Sequence, residues 1–264
     1  MDMKLKQEFN DRWSHYFLGA DLPIAFFYAE DPGLVPEASA AKGHHCFIGE
    51  LAAVRRGTPL AFKAQALPCG GALRYLGFMQ KRRPNFEYFL SCGIPGQLEG
   101  ERYKKTPELV IEVLKRQPPF QAPGRYLIAK RWDTLETGDE PFAVVFFAPP
   151  DVLAGLFTLA NFDETDPDGV RAPFGAGCAS IVYWPFHEGR TERPKAVLGM
   201  FDVSARPCVG PTLLTFAVPW PKFVRMAGHM DESFLITESW RKVMGRIRAT
   251  EADGSDGPRS PYGR

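Results

Sequence analysis

Apolar side chains recur at Leu5, Phe9, Trp13 and Tyr16 or Phe17, a spacing of three to four that gathers them on one stripe, so Leu5 to Phe17 is predicted as an amphipathic helix. Leu22 to Ala29 is instead a short aromatic-rich apolar run closed by Glu30-Asp31-Pro32-Gly33, the pattern of a buried strand and a turn. Cys46 to Arg56 returns to helical spacing, with Phe47, Leu51 and Val54 inward, Arg55 and Arg56 near the negative end and Gly57 as the stop. Leu60 to Ala64 reads as a strand, Cys69 to Phe78 as a short helix, and Phe86 to Leu90 as a strand or a turn of helix. Thr106-Pro107-Glu108 supplies a cap, a proline at the first helical position and an early acid, which starts a helix through Lys115.

Alternation continues in the second half. Arg125 to Arg131 and Phe142 to Ala148 are predicted strands, the latter apolar throughout as if covered on both faces. Pro149-Pro150-Asp151 opens a helix to Ala160, and Glu164 to Pro173 is an acidic loop. Cys178 to Trp184 reads as helix or strand, Lys195 to Asp202 and Thr212 to Val218 as strands, and Pro221 to Ala227 and Glu232 to Arg248 as helices. The expected fold is α/β or α+β, one mixed-sheet layered domain over residues 1–248 with helices packed on the sheet. Residues 249–264 are expected to form a disordered tail, since Glu251 to Arg264 is Gly, Ser, Pro and charge.

Composition removes several classes. The 264 residues are 45% hydrophobic and 24% charged with a net charge of +1, which suits a globular protein and gives no field to steer a nucleic acid. No apolar run has the length of a membrane span and the first residues lack the apolar core of a signal peptide, so the expectation is a cytoplasmic protein without a membrane partner. Five scattered cysteines argue for reduced thiols over a disulfide framework. There is no G-x-S-x-G elbow, no P-loop and no H-E-x-x-H, and Gly175-Ala176-Gly177-Cys178 is not a dinucleotide fingerprint.

Three cysteines stand where a small-residue turn meets a predicted element: Cys46 after His44-His45, Cys69 between Pro68 and Gly70-Gly71, and Cys178 after Gly175-Ala176-Gly177. A thiol at a helix start feels the positive end of the backbone dipole, so these thiolates are expected to form easily. Cysteine ordinarily packs as a small hydrophobe. Gly70-Gly71 and Gly177, however, suit a backbone that approaches a ligand, and they are the candidate cofactor-binding residues. No cysteine pair has the short spacing of a zinc finger. Cys46, Cys69, Cys92 and Cys178 on loops at one end of a sheet would instead suit an iron-sulfur cluster or another thiolate-bound soft metal. His44 and His45 add some support for a mixed site, but two histidines in a polar loop are more often plain surface residues. Arg74, Arg82 and Arg83 and the group Arg102, Lys104 and Lys105 could pair an anionic group, but beside Glu99 and Glu101 they read first as a solvated face, while Phe86 to Gly96 reads first as core packing and second as a pocket wall.

Pro23-Ile24-Ala25-Phe26, His45-Cys46, Ala52 to Gly57, Cys69-Gly70-Gly71 with Gly77, and Gly175 to Ala179 together resemble the prokaryotic domain-of-unknown-function family numbered 169. The resemblance covers Phe9 to Gly245 and implies no established activity. In that family another cysteine often precedes a Gly-x-Arg element after the strand near the end. Here the stretch is Gly199-Met200-Phe201-Asp202-Val203-Ser204-Ala205-Arg206, which lacks the thiol unless Cys208 supplies it. Two principal readings follow: a cysteine-ligated cluster or metal protein, and a binding module for a polar or anionic small molecule in which the thiols only pack. A thiol enzyme is a third, with no general base identifiable beside any cysteine.

Overall fold

The computed structural model describes residues 1–38 and 46–253. Its centre is a seven-stranded sheet in the order β2-β3-β1-β4-β7-β6-β5, built from β1 (Ile24–Ala29), β2 (Leu60–Phe62), β3 (Tyr126–Arg131), β4 (Ala143–Ala148), β5 (Val170–Arg171), β6 (Ala196–Gly199) and β7 (Leu214–Pro219). Every neighbouring pair is antiparallel except β5 and β6. Of the two fold classes left open, the sheet therefore selects α+β. Alternation along the sequence says nothing of strand direction, and here only β5 and β6, joined through the helical segment between them, make a parallel crossover.

Period-two alternation sorts side chains onto the two faces of the sheet. Ala25, Phe27, Val144, Phe146, Phe216 and Val218 point into one core, and Ile24, Phe26, Val145, Phe147 and Ala217 into the other. The first core is roofed by α1 (Met3–Tyr16), α6 (Pro150–Ala160), α8 (Trp220–His229) and α9 (Glu238–Asp253). Phe9 meets Trp132 edge-on at 4.7 Å, Trp13 stacks on Phe17 at 4.3 Å, and Phe17 meets Trp240 at 5.1 Å. The indole N–H groups are satisfied: Trp132 donates to the Lys6 carbonyl at 3.1 Å and Trp240 to that of Tyr16 at 2.8 Å. Gly155 is required in α6, since a Cβ there would stand 2.4 Å from Trp240 and 2.8 Å from Phe17.

The second core is covered by shorter pieces: α2 (Phe47–Arg55), α3 (Gly70–Tyr75), a π-helix (Ala179–Tyr183) and α7 (Trp184–Glu188). Beside them lie α4 (Phe86–Phe89) and α5 (Pro107–Lys115). Thr106 caps α5 by accepting from the Leu109 amide at 3.4 Å, as the sequence predicts.

Several segments differ from expectation. The strand from Leu60 stops at Phe62 and yields to a 3₁₀ turn at Ala64–Ala66. Phe86–Phe89 takes the helical alternative, and the acidic loop contributes the two-residue β5. Glu232 to Ile236 forms 3₁₀ turns before α9 begins at Glu238. The helix then runs to Asp253, so residues 249–253 are helical and not tail, in keeping with the helix propensity of Ala and Glu there. Residues 254–264 and the pair His44-His45 lie outside the described residues. Among the described residues, no helix is long and apolar enough to cross a membrane.

Candidate functional site

Cys46 and Cys69 are the N-cap residues of α2 and α3, and both are partly buried. Cys178 occupies the same place before the π-helix, and is buried. The sequence left that segment between helix and strand. The wider π turn is a rare form that recurs at functional sites, and it packs tightly on β6: a Cβ at Gly199 would fall 2.2 Å from Ser180 Oγ. Ser180 Oγ in turn donates to the Gly177 carbonyl at 2.7 Å.

The loop after β6 completes the arrangement. Asp202 accepts from the Gly177 amide at 2.9 Å through one carboxylate oxygen, and from the amide and hydroxyl of Ser204 at 3.0 and 2.7 Å through the other. Met200 holds a left-handed backbone at φ +72, a conformation that costs a side-chain-bearing residue energy and gathers at functional positions. Its Sδ faces Gly177, where a Cβ would stand only 3.2 Å away. A 3₁₀ turn at Arg206–Cys208 then presents Cys208, held by Arg206, which donates to the carbonyls of Leu213 at 2.6 Å and Pro211 at 2.8 Å.

Four thiols from four separate stretches thus come together. Cys46 and Cys208 share a thiol–thiol hydrogen bond, and Cys69 lies close enough to Cys46 and Cys178 to act on both electrostatically. The Gly49 position in α2 faces Cys208, a Cβ there being 3.9 Å from its Sγ. Cys92 is not brought to this group. It is exposed beyond α4, with its sulfur 3.5 Å from its neighbour Gly93's carbonyl oxygen. Among the described residues no set of three or more His, Cys, Asp or Glu side chains is arranged to hold a single metal ion.

Burial decides the electrostatics. It pushes the Cys46 thiol up to about 12 against the pull of the Ile48 amide, and the nearby Cys208 and Cys69 raise it further. Cys178 is held well above the ordinary thiol value by burial, then by Cys69, Cys46 and Asp202. Cys208 is raised by burial, while the hydrogen bond from Cys46 favours its anion. The expectation of easily formed thiolates at helix starts therefore fails for Cys46 and Cys178, because loss of water around a sulfur anion outweighs one amide dipole.

The glycines beside these thiols differ. A Cβ at Gly70 would meet nothing within 4 Å, and one at Gly71 would meet only the Cys69 sulfur at 3.6 Å. The Gly177 amide is already engaged by Asp202. Elsewhere, a depression of about 450 Å³ between Arg171, Glu188, Arg193 and Lys195 has its cations matched to carboxylates: Arg171 to Glu188 at 2.6 Å, Arg193 to Asp166 at 2.9 Å and Lys195 to Asp168.

The model of an uncharacterised family, DUF169, described as ArCR, matches residues 21–229, well over half of the chain. The chain belongs to DUF169. The match spans all seven strands of the sheet and all four clustered thiols of this DUF169 chain. No curated protein and no solved structure matches it. Asp202 and Met200 are site residues that the sequence did not single out, although both stand in the stretch where the family resemblance left a thiol unaccounted for. Cys208, shifted along that stretch, is the thiol that reaches the group.

Proposed function

We propose that Cys46, Cys69, Cys178 and Cys208 bind an iron-sulfur cluster. The observation that carries the reading is the meeting of four free thiols from sequence-distant turns at one end of the second core. A single tetrahedral ion draws its sulfurs to about 2.3 Å from itself, which the described side chains do not do. A cluster interposes its own iron and sulfide between the cysteines, and its ligands come from well-separated turns. Loading converts buried thiols to thiolates and releases their protons, so affinity falls as pH falls.

The test is anaerobic purification or reconstitution with iron and sulfide, followed by iron and sulfide analysis and a visible spectrum. Cys69→Ser and Cys178→Ser are expected to lose the chromophore and Cys92→Ser to keep it. Metal content near zero in the reconstituted wild type, or an equal spectrum in Cys178→Ser, overturns the reading.

The second reading is a binding module for a small polar or anionic molecule, gripped by the turn at Gly70-Gly71. The open space at Gly70 favours it, and the engaged amide of Gly177 narrows the backbone available. Gly70→Val blocks such a ligand and leaves a cluster in place, so the two readings separate on this variant.

A further inference from the structure

Residues 81–105 carry six cations against three carboxylates, a surplus of three in a chain whose whole net charge is +1. The segment is pinned to α4 by amides of Glu101, Arg102 and Lys104, which donate to the carbonyls of Phe89 at 2.7 Å, Ser91 at 3.0 Å and Leu90 at 3.0 Å. Its cations are placed on aromatic faces: Arg83 is 3.3 Å from the Phe89 ring centre and Lys104 is 4.2 Å from that of Phe174. Among the described residues, Arg83, Arg102, Lys104 and Lys105 have no carboxylate partner.

Exposed apolar side chains adjoin these cations. Phe174, Phe201 and Val203 are 59%, 56% and 65% exposed. Phe201 and Val203 flank Asp202, whose charge acts on Cys178 and Cys208, and Phe174 precedes the Gly175-Ala176-Gly177-Cys178 turn. Tyr103 hydrogen-bonds Ser204, tying the cationic segment to the same rim. An apolar centre bordered by the four unpaired cations, against the carboxylates of Glu101 at Tyr103 and Asp202 between Phe201 and Val203, has the composition of a docking surface.

The geometry points to this rim as the docking face for a small acidic electron-carrier protein. The inference rests on the cluster reading of the thiols. The apolar trio supplies contact area, the cations steer an anionic partner, and Asp202 within the rim is near enough to act on Cys178 and Cys208, as a short path for electron exchange needs. In the exchange one electron leaves the carrier's reduced cluster and enters the site, oxidising the carrier and reducing the site, with no bond made or broken.

The probe is a small acidic plant-type ferredoxin, titrated into the full chain at low and high salt, with a basic protein of similar size as counter-probe. Saturable binding at low salt is expected, weakened about tenfold by the double variant Lys104→Glu, Lys105→Glu. Phe201→Ser with Val203→Ser should weaken it comparably, and Lys4→Glu on α1 should leave it unchanged. No saturable binding at low salt, equal binding of the basic protein, or equal binding in the rim and Lys4 variants overturns the proposal. The titration reads surface recognition whether or not iron is bound, and the spectrum reads the cluster separately. A loaded protein that ignores ferredoxin thus overturns the docking proposal and leaves the cluster reading standing, whereas an unloadable one overturns the cluster reading and, with it, the electron exchange at this face.

Discussion

The two faces of the sheet are built differently. One carries long helices and interlocked aromatic rings whose indole donors are satisfied. The other carries short helices, a π turn, free thiols and, in its loops, residues with left-handed backbones at Asn85, Arg102 and Met200. Regular packing gains stability from every buried ring, whereas strained turns and buried thiols return little unless they serve a site. The contrast predicts that the stabilising core and the thiol-bearing end, which share one sheet, are separable by mutation.

Trp132→Ala should break the comparison most sharply. Removing a fully buried indole from the aromatic face should cost about 3–5 kcal/mol in denaturant unfolding, while folded protein still loads its thiols; loss of loading in folded protein would show that the faces are coupled. Gly155→Ala forces a Cβ against Trp240 and should cost about 1–3 kcal/mol through overpacking, read as a lowered midpoint at unchanged slope.

The thiol face should reveal itself by pH. Cys46 and Cys178 release protons at higher pH folded than unfolded, so above the free-thiol value of about 8.5 the unfolded chain holds fewer protons and stability falls as pH rises. For each such thiol the slope approaches about 1.4 kcal/mol per pH unit. Cys46→Ser should flatten it in the metal-free protein, and an unchanged slope would mean that Cys46 titrates normally. The smallest effect is kinetic: under native conditions exposed Cys92 should alkylate first and buried Cys178 last, and the reverse order by mass spectrometry would contradict the burial described.

Local features were readable where the chemistry was local. Thr106-Pro107-Glu108 starts α5, the unbroken apolar run of β4 is buried along its length, and Cys46 and Cys69 stand as helix caps. The π turn after Cys178 was not readable, since it depends on the close passage of β6 at Gly199. Strand direction also follows from pairing and not from local pattern. The exchange of Cys92 for Cys208 has the same origin: nothing in the neighbourhood of either residue reports that the loop after β6 folds back onto the start of α2.

That folding-back has a topological meaning. Cys46 and Cys69 belong to the first third of the chain and Cys178 and Cys208 to its last third, so any group that bridges them closes a loop encompassing more than half the molecule. Such a clasp restricts the unfolded ensemble as a long-range cross-link does, and the entropy it removes grows with the loop enclosed. A bridged chain would therefore open at both ends of this loop together, and the small chemical end would govern how the large aromatic face comes apart.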